Sequence, residues 1–352
     1  MENAQDPRRI IESLVQQDPT TNQLYELSDL AGEDLNLFRE TWPAVPAERR
    51  AAVTAELVEI AESDFEVSFA PIFRLGLQDS SEDVRVAAIE GLWEVEDAAL
   101  VRPLLKMLDG DPSLRVREAA VVSLSRYVLL AELGKLPDSI AEILWKTLWA
   151  VIHTTDLEVD VRRRAVESLA YFDRPEVHEV IQAAYTDVEP RMRISAIYAM
   201  GRTGDQEWSD AIMSELETSE PEMRFEATRA CGELQLIEST PALSLLVADP
   251  DPEVRLAAVW SLGQIGTPEA RRVLDICLEE GNEAIQEAAE DALAEVEFMQ
   301  EQVEFPLVDY GGDALLEGDY LDGELLDEDL LDDDLSDEGL LDERLFDEDD
   351  RV

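Results

Sequence analysis

Seven times along the chain, one pattern of side-chain sizes returns at nearly constant spacing, and that constrains the fold more than any other feature. Its first residue is Val84, Val116, Val161, Met192, Met223, Val254 and Ile285, at intervals of 32, 45, 31, 31, 31 and 31 residues. With that residue as position 0, position 1 is Arg in six copies (Arg85, Arg117, Arg162, Arg193, Arg224, Arg255) and Gln286 in the last. Position 4 is Ala in all seven copies, from Ala88 to Ala289. Position 8 is Leu92, Leu124, Leu169, Met200, Cys231, Leu262 and Leu293. A fixed period of this length means stacked copies of one small unit rather than a single irregular core.

Helical geometry explains the pattern. At about 100° per residue, positions 0, 4 and 8 fall on one narrow stripe that must face a neighbouring helix. Position 4 stays Ala because backbones come close there. Position 7 is kept thin as well, as Gly91, Ser123, Ser168, Ala199, Ala230, Ser261 and Ala292. Small residues on two flanks suit a helix packed on its own repeat and on the next. A second helix is expected before each of these, for example over Ala98–Leu108, Glu207–Leu216, Thr240–Val247 and Glu269–Leu278, with Pro112, Pro190, Pro221 and Pro252 marking first turns. The long interval between Val116 and Val161 predicts lengthened helices around Tyr127–Leu133 and Ile140–Thr154. One hairpin cannot bury its own face, so copies stack and share a continuous core.

The motif D-x-x-x-x-V-R-x-x-A-x-x-x-L-G resembles HEAT repeats, in the short variety of bacterial phycobilin-lyase-like HEAT proteins. The resemblance is strong over about 64–298 and weaker over Glu33–Ser63. It implies an all-α fold, a right-handed α-solenoid of antiparallel helix pairs. The domain plan is an N-terminal helical cap over 1–32, a repeat array over 33–298 and an acidic tail over 299–352. The family includes scaffolds, assembly chaperones, lyases and hydroxylases, so the fold alone does not fix a function.

Charge narrows the partners. The chain has 352 residues and a formal net charge of −54. Residues 301–352 hold 22 acids against Arg344 and Arg351, a net −20, which leaves −34 on the first 300 residues. Nucleic acid and anionic membrane surfaces are disfavoured, because phosphate binding needs Lys and Arg. A protein or peptide with a basic surface is the favoured partner. The N-terminal MENAQDPRRI lacks an apolar segment, and Ile140 to Ile152 is too short to span a bilayer, so a cytoplasmic location is expected. Oligomeric state is not encoded legibly. Cys231 and Cys277 fit the pattern as small apolar residues.

Two sets of residues stand out. Five positions before position 0 lies an acid in six copies: Asp79, Asp111, Asp156, Asp187, Asp249 and Glu280, with Thr218 the exception. These acids and the Arg column are expected to form a structural ladder. Positions 2 and 6 point away from the core stripe. They are polar at Glu118, at Arg163 with Glu167, and at Glu287 with Asp291. In three consecutive copies they become Ile194 with Tyr198, Phe225 with Arg229, and Leu256 with Trp260. An apolar and aromatic strip with Arg on an outward face reads as a docking surface, the alternative being a rotated helix whose strip packs between repeats.

From Leu315 the chain reads LLEGDYLDGELLDEDLLDDDLSDEGLLDERLFDED, with an apolar pair every five residues. Five steps fit neither a helix stripe nor one strand face, so disorder is expected, with binding to a basic apolar partner. Catalytic signatures are missing: there is no G-x-S-x-G, P-loop or G-x-G-x-x-G. Only His153 and His178 occur. His178-Glu179 resembles the iron-ligating pairs of HEAT-type deoxyhypusine hydroxylases, but one pair cannot supply their ligand set, and no metal or cofactor is expected. The sequence therefore points to a non-catalytic interaction scaffold. The alternative is a chromophore-attachment accessory resembling phycobilin lyases, with a tetrapyrrole in the same groove.

Overall fold

The computed structural model describes residues 6–154 and 157–304. Asp156 and the acidic repeats from Leu315 onward lie outside the described residues. Within them the chain is all-α, with eighteen α-helices, short 3-10 turns and no strand. It divides into two compact units, Met1–Ala199 and Met200–Val352.

The first unit opens with α1 (Pro7–Ser13), α2 (Thr21–Tyr25), α3 (Gly32–Thr41) and α4 (Ala47–Ser63). The repeats follow as α5 (Ala70–Gly76) with α6 (Glu82–Glu90), and α7 (Val101–Gly110) with α8 (Leu114–Glu132). Then come α9 (Asp138–His153) with α10 (Val159–Leu169), and α11 (Pro175–Tyr185) with α12 (Pro190–Arg202), whose last turn belongs to the second unit. The long interval is taken up by α8, of 19 residues, and α9, of 16. The second unit holds α13 (Ser209–Ser214) with α14 (Pro221–Glu233), α15 (Thr240–Leu246) with α16 (Pro252–Ile265), and α17 (Pro268–Glu280) with α18. Helix α18 runs Glu283–Glu304, continuing past Phe298.

The α16 copy shows how sequence makes each hairpin. Asp251 caps it, its side chain accepting from the amides of Glu253 and Val254 at 2.9 and 3.3 Å. Pro252 starts the first turn, where its missing N–H costs nothing. Gly266 ends it in the left-handed region at φ 62°, its amide donating to the Leu262 carbonyl at 3.1 Å. Between them Val254, Ala258 and Leu262, at positions 0, 4 and 8, are fully buried.

The position-7 column does what its small size suggests. Ser261 Oγ donates to the Thr228 carbonyl of the preceding repeat at 2.8 Å, and Ser168 Oγ to the Val121 carbonyl at 3.1 Å. Two residues beyond position 7, position 9 is equally constrained in α14 and α16, where it is glycine. A Cβ on Gly232 would lie 2.8 Å from the Ser261 Cα and 2.7 Å from the Trp260 ring; one on Gly263 would lie 2.8 Å from the Ala292 Cβ. Consecutive second helices thus meet backbone to backbone. The outward column of α18 breaks the pattern: Gln286 replaces the Arg, and Glu290 takes the otherwise buried position 5, where it is exposed. A polar end face is what a terminal repeat requires. Both cysteines are buried, and burial pushes the Cys231 thiol up to about 12.

Replacing Gly232 by Ala forces its Cβ against the Ser261 backbone, which cannot swing aside. Gly232→Ala is expected to cost ~1–3 kcal/mol, read as a lower denaturant midpoint. Gly110→Ala, where an added Cβ meets nothing within 4 Å, is the control for glycine substitution at large.

Candidate functional site

The Arg and Asp columns meet across repeats. Arg85 grips Asp111 with two bonds of 2.7 and 2.8 Å, and Arg224 grips Asp249 with two of 2.9 and 2.8 Å. Each Arg also donates backward, Arg85 to the Asp79 carbonyl and Arg224 to the Thr218 carbonyl. The acids also bond to their own turns. Asp79, Asp111, Asp187 and Asp249 each accept the amide two residues on, at 2.8 or 2.9 Å. At Asp111 and Asp249, one side chain therefore braces the turn into its own helix while holding the Arg of the repeat before. Both partners of the Arg224–Asp249 pair are buried, 11% and 5% exposed.

A further bridge of the same kind was not legible in the repeat pattern. Arg50 of α4 grips Asp79 with two bonds of 2.8 Å and donates to the Val45 carbonyl. Asp79 also accepts from Trp42 Nε1 at 2.9 Å. Other members of the column behave differently. Arg117 donates to the Leu108 carbonyl and reaches Glu158 at 3.1 Å. Arg162 donates to the Ile152 carbonyl and Arg255 to the Asp249 carbonyl. Arg193 is exposed.

The outward strip divides between the two units. In the first unit, Ile194 and Tyr198 are half-buried, and the Tyr198 hydroxyl lies 3.3 Å from that of Tyr171. In the second, Phe225, Arg229, Leu256 and Trp260 are all half-buried. The Arg229 guanidinium lies 4.5 Å over the Trp260 ring and 3.4 Å from Glu233. Trp260 rests against Gly232, so its ring is held in place by a gap that only glycine leaves. Glu233 also receives Arg202 at 3.1 Å, and Gln264 donates to Glu295 at 2.8 Å, a polar rim at position 10.

Position 6 of α10 departs from the expected wet face. Glu167 is buried, accepting Ser195 Oγ at 2.5 Å, Arg164 at 2.7 Å and Arg163 at 3.5 Å. Asp160 joins this network through Arg163 and Arg191. Arg163 and Arg164 of the same helix supply the positive charge that offsets the burial of Glu167. Burial, with repulsion from Asp160, pushes the Glu118 carboxyl above its usual range.

Two further surfaces carry no repeat signature, and the periodicity does not reveal them. On α8, Val122, Leu129 and Leu133 are 47%, 40% and 62% exposed, spaced with Arg126 in a 4-3-4 seam. On α9, Trp145 stacks on Trp149 and Trp149 on His153, while Arg174 covers Trp145 at 4.5 Å. Both lie in the lengthened pair, where the aromatic run from Trp145 to His153 was the available signal. His178 is exposed on α11.

An all-α stack of short hairpins, with a recurring small column and Arg–Asp bridges between copies, defines a helical repeat protein. Sequence comparison makes the class specific: HEAT repeats match residues 70–144, 146–214 and 209–294, and the chain belongs to that family. A search of curated proteins finds no match. Among solved structures, human deoxyhypusine hydroxylase with glycerol is similar at 21% identity and TM-score 0.35, over 84% of this chain and 97% of that one. The CpcE–CpcF complex of phycocyanin lyase from Nostoc is similar at 18% and 0.41, over 65% and 94%. Kap95p, in a structure with RanGDP, is similar at 13% and 0.41, over 82% and 45%. No described helix is long and apolar enough to cross a membrane.

Arg224→Ala leaves the Asp249 carboxylate buried and unpaired and is expected to cost ~3–5 kcal/mol at pH 7. The hydrogen bonds from Arg224 hold Asp249 below the usual carboxylate range. The stability they give is present above about pH 4 and is lost as pH falls through the lowered value. The gap between wild type and variant in urea melts should therefore narrow in acid. Glu118 has the opposite sign. Its raised carboxyl favours the protonated fold, so ionisation weakens the fold as pH rises. Glu118→Gln should raise the melting temperature at pH 7 and leave it unchanged near ~pH 3, below the ordinary carboxylate range.

Proposed function

We propose that this protein is a non-catalytic scaffold that holds a protein or peptide partner with a basic surface. The observation that carries the reading is the Phe225, Arg229, Leu256 and Trp260 group. These residues stay part-exposed on helices whose positions 0, 4 and 8 are already buried. Trp260 packs on Gly232 of the preceding repeat yet stays part-exposed, with Arg229 beside its ring. Trp and Arg in contact are frequent anchors of interfaces, and the ring is pre-set against Gly232, which lowers the ordering cost on binding. The chain is strongly acidic overall, which favours a cationic rim on the partner.

The strongly acidic segment after residue 301 gives a second, charge-based contact for the same partner, and two linked contacts raise avidity without new geometry. The HEAT family supplies an architecture that suits protein interaction.

The test is comparative capture with the immobilised full chain at low and high salt. Trp260→Ala with Phe225→Ala is expected to weaken the recovered partner at least ~10-fold, the loss of about 1.4 kcal/mol or more typical of an anchor. Removing residues 301–352 should weaken capture at low salt and matter little at high salt. Identical recovery by the folded double variant removes this face from the reading.

A further inference from the structure

Helices α10, α16 and α18 receive their predecessors on the face around position 7, through Ser168, Ser261 and Ala292. Arg50 occupies position 1 of α4, since it grips the acid of the next repeat as Arg85 and Arg224 do. That register puts Ala52, Glu56, Glu59 and Ser63 on the receiving face of α4. Helix α2, which packs against α4, has only five residues and covers part of that face. An open groove of about 400 Å³ is left between them. Its floor is Ala52 and Ala55, both exposed, and one wall is Tyr25, 36% exposed.

The floor, Ala52 and Ala55, is small enough for a helix to approach closely, while position 7 itself is Glu56. The rim is anionic. Glu56 accepts from Thr21 at 2.7 Å, and Glu59 and Glu62 are exposed. The nearest cation, Arg49, is taken up by Asp18 and by the carbonyls of Leu14 and Val15. The groove therefore has a helix-receiving shape and uncompensated negative charge. A second copy is a poor occupant, because the outward column of α18 presents Glu290 and Glu297, both exposed.

We propose that the groove between α2 and α4 docks an amphipathic helix of a partner protein, with Ala- or Leu-sized side chains against Ala52, Ala55 and Tyr25 and Lys or Arg reaching Glu56 and Glu59. This contact is separate from the Trp260 face and stands or falls without it.

The probe is a helical peptide of about 16 residues, long enough for roughly four turns, built of Ala, Leu and Lys and carrying a photo-crosslinker, with a Glu-for-Lys peptide as control. Full-length protein is crosslinked and the adducts are mapped by mass spectrometry, since the acidic segment beyond residue 304 offers a competing charge-only site. The expected result is adducts on residues 21–25 and 52–63 with the Lys peptide, at least ~10-fold fewer with the Glu peptide. Ala52→Trp, which fills the groove without changing charge, should lower them by a similar factor while the circular dichroism melt is unchanged. Should that variant unfold, Glu59→Lys on the exposed rim serves instead. Adducts confined to residues 305–352, or a groove signal indifferent to both variants, overturn the proposal. So does concentration-dependent self-association that is lost in Glu59→Lys, which would give the groove to a second copy.

Discussion

The structure depends on how closely consecutive second helices approach. Ser261 lies against Gly232 and Ala292 against Gly263 at distances that leave no room for another methyl group. Such contact gives dense packing with little side-chain volume, which is why Ala, Gly and Ser fill two columns of every copy. Cavities and overpacking are both costly at such a seam, so the spacing of each copy is fixed by its neighbours. The hydroxyls of Ser168 and Ser261 are satisfied on the preceding helix, so the small column buries neither as an unpaired donor.

Charge is handled in a second layer over that seam. A chain this acidic gains little from exposed ion pairs. Its best-defined pairs are instead buried and two-pronged: Arg50–Asp79, Arg85–Asp111 and Arg224–Asp249. Each spans two repeats and ties the turn of one to the helix of the other. The Glu167 network does similar work with different chemistry, holding Arg163 and Arg164 of its own helix and Ser195 of the next repeat. What remains on the surface is largely carboxylate, which sets the electrostatic preference of every exposed face.

Those faces differ in kind. In the second unit, Trp260 and Arg229 form a pre-set aromatic and cationic pair on helices already committed elsewhere to stacking. In the first, the lengthened α8 and α9 raise apolar and aromatic side chains beyond the reach of the repeat pattern. The α2–α4 groove arises because α2, with five residues, covers only part of α4. Repetition thus creates both the core and, where it stops or stretches, the candidate contacts.

The sequence by itself determined the helix pairs, the stacking stripe and the residues allowed at the seam. These follow from a 3.6-residue period and side-chain volume, both local properties. It also marked Phe225, Arg229, Leu256 and Trp260 as a group; the structure leaves all four half-buried, with Trp260 against Gly232 of the repeat before. Tertiary structure decided which charges pair, because partners such as Arg224 and Asp249 belong to different repeats and spacing alone fits pairing within or between copies. It turned Glu167 inward, added Arg50 to the bridges, and left Arg193 exposed, since each outcome depends on what the adjacent helix offers across the gap. It also left a groove between α2 and α4, because how much of α4 the short α2 covers depends on how the two pack.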